Sequence, residues 1–272
     1  MNPPRVLIIA GSDSGGGAGI QADIKAVTMF GGHAMTAITA ITAQNTLGVA
    51  QMMAIPVGLV LSQVDAVLSD IGADAVKLGM IGSAETAQAV ADRLEGLDLP
   101  IVFDPVMVAT SGASLADGPT IAAFDRLMRL STVTTPNLPE LSALTNRNIV
   151  DLDTLEDAAL DLVRETNKAV LAKGGHLDTP VLTDVLIEPN GQLHRWETVR
   201  VETMNTHGTG CTLASAIACG LGQGRELADS VDRARAYVQA TIREAPGFGS
   251  GHGPIGHTLG TVPWNLIHKN VE

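Results

Sequence analysis

Short β-branched apolar runs alternate with longer amphipathic stretches along most of this chain. RVLIIAG (5–11) leads into the helical AGIQADIKAVTMFG (18–31), MTAITAIT into PVGLVLSQVDAVLSDI with Pro56 at its start, and DAVKLGM into AETAQAVADRLEG. PIVFDP is followed by a helix near 117–129, then the strand STVTTP, a helix from Asp153 to Thr166 and the strand KAVLAKGG. A hairpin through EPNGQL and two helices, from Thr209 and Glu226, complete the pattern. Strands apolar on both faces need cover on both faces, so the expected fold is α/β, a three-layer αβα sandwich around a mainly parallel sheet. No linker, repeat or low-complexity tract interrupts it, and one domain over 1–272 is expected.

Aromatic residues are only 3% of the chain against 45% hydrophobic, so the core must be built from Ala, Val, Leu, Ile and Met. A formal net charge of −12 argues against nucleic acid and anionic membranes as partners and favours a small, locally recognised ligand. The N-terminus lacks a charged leader with an apolar core, and no apolar run reaches the roughly eighteen residues of a membrane span, so a soluble cytoplasmic protein is expected. Cys211 and Cys219 fall on one predicted helix. Eight residues of helix separate them by ~12 Å, too far for a disulfide. His33, His176, His194, His252, His257 and His268 show no metal-binding spacing.

In open α/β sheets, ligands bind beyond the carboxyl ends of the strands. The segments at those positions are GSDSGGGAGIQAD, QN, GM, DPVM, TPNLPE and KGGH, all polar or glycine-rich. Gly17-x-Gly19-x-x-Ala22 loosely matches a dinucleotide fingerprint, but there is no Asp or Glu between Ile24 and Val64 to hold a ribose. The Walker A pattern is also absent. NTHGTGC offers another route to phosphate. At Gly208, Thr209, Gly210 and Cys211, free backbone N–H groups at a helix start form a nest for an oxyanion. A thiol at a helix N-terminus is expected to have a lowered pKa, so Cys211 is a candidate base, while mid-helix Cys219 reads as packing.

Nearly the whole chain resembles the ribokinase-like small-molecule kinases, and within them the hydroxymethylpyrimidine and phosphomethylpyrimidine kinases of thiamine biosynthesis. The likeness rests on AGSDSGGGAGIQADIK, TAQNT, KLGMIG, DPVMVATSG, TPNLPE, KGGH, NTHGTGCT and GHGPIGH, in the family's order. It implies that ATP is the phosphoryl donor and Mg²⁺ the cofactor. An aminopyrimidine would be held by Asp23 and Gln44, with Gly11, Met80 and Val106 on its apolar faces. Asp104 and Glu140 would serve Mg²⁺, and Lys173, Thr206, Gly208 and Gly210 the nucleotide phosphates. Cys211 stands where most ribokinase-like enzymes carry Asp, and with Gly208, Thr209 and Gly210 it would form the catalytic group. The resemblance also suggests a homodimer and a second phosphorylation, of the monophosphate to the pyrophosphate.

Plainer roles compete at each position. Asp23 could be a solvated helix acid, Gln44 a loop cap, Met80 core, Asp104 a turn residue, Glu140 a helix-start charge and Lys173 a strand-end lysine. His207, four residues before Cys211, raises a Cys-His hydrolase, although the loop in VETMNTHGTG does not fit a nucleophile elbow. A silent regulator would be expected to lose Cys211 or the glycines, and both are kept. Pyridoxal also offers a hydroxymethyl group on a nitrogen ring, so pyridoxal kinase is the alternative substrate class. Gly15 and Gly256 depart from the family pattern, outside the proposed chemistry.

Overall fold

The structure is a computed structural model that describes residues 2–110 and 112–261. Its centre is a nine-stranded sheet. In chain order the strands are β1 (Arg5–Asp13), β2 (His33–Asn45), β3 (Gly48–Ala54), β4 (Ala75–Leu78), β5 (Ile101–Phe103), β6 (Val133–Thr134), β7 (Ala169–Ala172), β8 (Val181–Ile187) and β9 (Leu193–Val199). Their spatial order is β3-β2-β1-β4-β5-β6-β7-β8-β9. The pairs from β2 to β7 are all parallel, and β3, β8 and β9 extend the two edges antiparallel. The helices are α1 (Gly19–Met29), α2 (Val57–Asp70), α3 (Ala84–Leu94), α4 (Gly118–Leu130), α5 (Leu138–Thr145), α6 (Leu152–Thr166), α7 (Thr209–Gly222) and α8 (Leu227–Arg243).

Period-two alternation in the buried strands feeds two cores. Leu7 and Ile9 of β1 join Val76, Leu78, Ile101 and Phe103 under α2, α3, α4 and α6. Val6, Ile8 and Ala10 face the other way with Val102 and Leu171, under α1, α7 and α8. Small residues allow α7 to lie close to the sheet: Ala214, Ala216, Ile217, Ala218 and Cys219 are fully buried. Cys219 is therefore packing, as expected.

Two elements were not anticipated. β3 is mostly exposed and carries Gln51, Met52 and Met53, so it lacks the apolar alternation that marks a strand; its pairing to β2 forms it. α5 has only eight residues with Pro139 near its start, and it is held by an Asn137–Glu140 capping box.

Candidate active site

The strand ends and the start of α7 enclose a cleft of about 950 Å³. Gly11, Gln44, Met80 and Val106 line it, as do Asp104, Glu140, Lys173, Thr206 and the whole stretch from Gly208 to Cys211. A Cβ on Gly11 would fall 2.1 Å from Met80 Cε, so the two residues form one closely fitted wall.

Asp13, at the end of β1, shapes the glycine loop. Its carboxylate accepts from the backbone N–H of Gly15, Gly17 and Ala18 at 2.8, 3.0 and 2.9 Å. His207 Nε2 lies 2.9 Å from the same carboxylate. Burial pushes the Asp13 pKa up, but His207 and the backbone donors more than offset it and the net direction is down, so Asp13 is ionised. The loop then meets α7 backbone to backbone. Gly208 has φ +88°, and a Cβ there would lie 1.8 Å from the carbonyl oxygen of Gly17. Only glycine fits.

Gly208 caps α7 without a side-chain hydrogen bond. The N–H groups of Gly208, Gly210 and Cys211 find no acceptor among the described residues. Lys173 Nζ borders this nest, 3.2 Å from where a Cβ on Gly210 would stand. Unpaired N–H groups, a helix start and an ammonium together make an anion site.

Lys173 Nζ is 2.9 Å from Asp104 Oδ1 and 4.0 Å from Glu140 Oε2. Glu140 also accepts from the backbone N–H of Asn137, so its helix-start role and its place in the cleft coexist. Burial, reinforced by Asp104 and opposed by Lys173, pushes the Glu140 carboxyl up to about 7. A carboxyl held that high is short of positive charge. Mg²⁺ binds through one or two carboxylates plus phosphate oxygens and water, which suits Asp104 and Glu140 beside an anion site. Among the described residues no group of three or more His, Cys, Asp or Glu could hold a metal by itself; His268 lies outside them.

Two expectations are corrected. Asp23 does not reach the cleft: it is fully buried, with both carboxylate oxygens 2.9 Å from Lys77 Nζ and Oδ1 accepting from Ser215 Oγ at 2.7 Å. A ligand cannot hydrogen-bond it while that pair is intact. It is not a solvated helix acid either. Cys211 is likewise not a low-pKa thiol. Burial pushes it up to about 12; Lys77 and the N–H of Gly19 pull it down, Asp23 and Asp104 push it further up. Desolvation outweighs the helix terminus.

Lys77, Asp13 and the ring of His207 were missed as site residues. A signal existed for Lys77. A lysine inside DAVKLGM needs a buried partner, and Asp23 sits on the apolar face of α1 with Ile20 and Val27.

The phosphomethylpyrimidine kinase family model matches residues 13–256. The thiamine biosynthesis bifunctional protein ThiED of Geobacter sulfurreducens is 48% identical over 93% of this chain, which spans about half (52%) of that protein. The hydroxymethylpyrimidine/phosphomethylpyrimidine kinase of Streptomyces coelicolor is 43% identical over 94% of this chain and 95% of its own. Among solved structures, the ADP complex of Bacillus subtilis pyridoxal kinase superimposes with a TM-score of 0.86 at 30% identity, covering 94% of this chain and 98% of that one. With the family model spanning most of its length and the Streptomyces coelicolor kinase matched over 95% of its own, the chain belongs to the phosphomethylpyrimidine kinase family.

Proposed function

We propose that the protein uses ATP to phosphorylate 4-amino-5-hydroxymethyl-2-methylpyrimidine to its monophosphate, and then the monophosphate to the pyrophosphate, in thiamine biosynthesis. One observation carries the reading: a single cleft holds a phosphate nest with Lys173 and Cys211 at the start of α7, together with the side chain of Gln44 and the Gly11–Met80 wall. An aminopyrimidine presents ring nitrogens and an exocyclic amine, which a carboxamide can match as both donor and acceptor.

In-line transfer of a phosphoryl group asks the protein mainly for position and charge. The N–H groups of Gly208, Gly210 and Cys211 hold the transferring group's oxygens, and Lys173 balances their charge. Thr206 lines the same end of the cleft and assists with nucleotide phosphates. Asp104 and Glu140 would hold Mg²⁺, which supplies charge neutralisation at the phosphates when bound. Cys211 takes the proton of the acceptor hydroxyl at Sγ, with Lys77 and the Gly19 N–H stabilising the thiolate. Leu213, Val238 and Ile242 add an apolar part to the lining that suits a nucleotide base.

We further propose a cytoplasmic homodimer acting as one kinase domain. Exposed Met52 and Met53 on β3 and Leu47 beside it support the dimer, and no helix among the described residues is long and apolar enough to cross a membrane.

The test is ATP consumption with Mg²⁺ by the purified protein, offered the hydroxymethylpyrimidine, its monophosphate and pyridoxal in parallel, with products identified by mass. Both pyrimidine phosphates are the expected products. Turnover of pyridoxal alone would move the function to vitamin B6 salvage.

A further inference from the structure

The Asp13–His207 contact lies outside the phosphoryl-transfer groups, yet it touches Gln44, the side chain assigned above to the acceptor. Asp13 and His207 are 2% and 7% exposed. Four segments meet at the imidazole. Nε2 faces Asp13 Oδ2 at 2.9 Å and the side-chain nitrogen of Gln44 at 3.3 Å, and Nδ1 faces Thr110 Oγ1 at 3.2 Å. The backbone N–H of His207 donates to Gly253. The next residue is Gly208, the start of the phosphate nest.

Hydrogen-bond accounting fixes the protons. Asp13 is ionised and accepts at Oδ2 from two backbone N–H groups already, so the imidazole nitrogen facing it must be a donor, Nε2–H. Nε2–H cannot accept from the amide nitrogen beside it, so the amide serves His207 only when turned half-way about its terminal bond to present its oxygen. The amide oxygen otherwise lies 3.2 Å from Thr42 Oγ1 and accepts from it. That hydroxyl has one proton and two acceptors in reach, of which the carbonyl of Ser12, at 2.9 Å, is the nearer. The turned amide then donates from its nitrogen to Thr42. Both ends favour the turned orientation; the reverse sets two donors against each other at His207.

We infer that Asp13 and His207 are positioning residues for acceptor recognition, fixing the Gln44 amide with its oxygen toward His207 and its nitrogen toward Thr42. A primary amide has two N–H donors and two lone pairs. One of each is consumed inside the protein, leaving one donor and one acceptor for a ligand. A ring nitrogen adjacent to an exocyclic amine supplies the matching acceptor and donor. A pyridine ring without that amine does not. The inference rests on the aminopyrimidine reading for its substrate, but the orientation itself is a property of the unliganded protein.

Two measurements test it on the full chain. In the isotope-labelled parent protein, side-chain NH₂ protons of Gln44 should show nuclear Overhauser contacts to the Thr42 methyl and none to the His207 ring. Contacts to the ring instead would overturn the orientation with no variant needed. Second, binding of the hydroxymethylpyrimidine is measured calorimetrically for the parent, His207→Phe, Gln44→Ala and the double variant, along with KM for ATP. His207→Phe should weaken pyrimidine binding by about tenfold, the scale of one buried hydrogen bond, with KM for ATP within about twofold. The double variant should be no worse than Gln44→Ala alone, because the two act as one unit. Unchanged pyrimidine affinity, multiplied losses, or a parallel rise in KM for ATP would each overturn the inference. If the parent does not bind the pyrimidine at all, the functional reading fails, while the nuclear Overhauser contacts still decide the orientation.

Discussion

A thiol at about 12 must shed its proton before it can accept one from an acceptor hydroxyl. From pH 7 that is about five units, ~7 kcal/mol at about 1.36 kcal/mol per unit. Turnover near 10 s⁻¹ corresponds to a barrier of ~16 kcal/mol, so the base route fits within an ordinary kinase rate. It leaves a signature. Below its pKa, the active thiolate fraction grows tenfold with each pH unit. The first phosphorylation, of a hydroxyl, should therefore accelerate about tenfold per unit between pH 7.5 and 9. The second should be flat over that range, because a phosphate monoester has already lost its second proton, with a pKa of ~6. The assay is ADP release at saturating ATP and Mg²⁺, one acceptor at a time. Starting above pH 7.5 keeps the measurement clear of Glu140, which titrates at about 7. Cys211→Ala should lower the first step ~10²- to 10⁴-fold, the usual range for a general base, and the second by less than about tenfold. A flat first-step profile, or equal losses in both steps with fold and ligand binding intact, would refute the assignment.

Three other perturbations follow from the geometry. Lys77→Met strands the Asp23 carboxylate in the core and should cost ~3–5 kcal/mol of stability, read by denaturant unfolding, with most of it recovered in Lys77→Met/Asp23→Leu. Gly208→Ala forces a side chain into a left-handed conformation against Gly17, so ATP binding measured calorimetrically should be lost while pyrimidine binding is weakened less. Glu140 must be deprotonated to hold Mg²⁺ and its carboxyl is raised to about 7, so the Mg²⁺ concentration for half-maximal activity should climb as pH falls through 7; Glu140→Gln should remove that dependence.

The rim of the sheet was legible because strand ends and glycine-rich loops are local signals. Gln44, Met80, Asp104, Glu140, Lys173 and the 208–211 nest all follow from position after a strand or before a helix, and the structure brings them into one cleft. What lies one layer deeper was not. Asp23 follows the glycine loop in sequence and reads as part of it, yet α1 turns it inward to Lys77 on β4 and Ser215 on α7, contacts 54 and 192 residues away. The sign of the Cys211 shift failed on magnitude. A helix terminus contributes at most ~2 kcal/mol, about one and a half pKa units, whereas desolvation moves a group by up to ~3–5 units. Sequence shows that Cys211 starts a helix but not that its half-buried sulfur faces Asp23 and Asp104. β3 was missed for a related reason: its exposed side chains carry no pattern, and only the β2 backbone specifies it.

The charges around the cleft also explain why a cysteine is tolerated at 211 where an aspartate would be strained. Asp23, Asp104 and Glu140 already gather here, and the two neighbouring lysines are committed, Lys77 to Asp23 and Lys173 to Asp104. Both Asp23 and Asp104 push the Cys211 thiol up, as Asp104 does the Glu140 carboxyl. A further carboxylate would meet the same two anions and the same desolvation, and Lys77, already shared with Asp23, would offset them only in part. A thiol is neutral at rest and carries charge only during turnover. Cys211→Asp should therefore have its new carboxyl raised above its unfolded value. Such a group costs nothing while protonated in both states, and its penalty grows as pH rises from its unfolded pKa, ~4, toward its folded one. Thermal unfolding should accordingly show the variant close to the parent at pH 4 and progressively less stable than it toward pH 7. A constant difference across that range would mean the aspartate has found a cation, and that the lysines at this site are not committed as their contacts indicate.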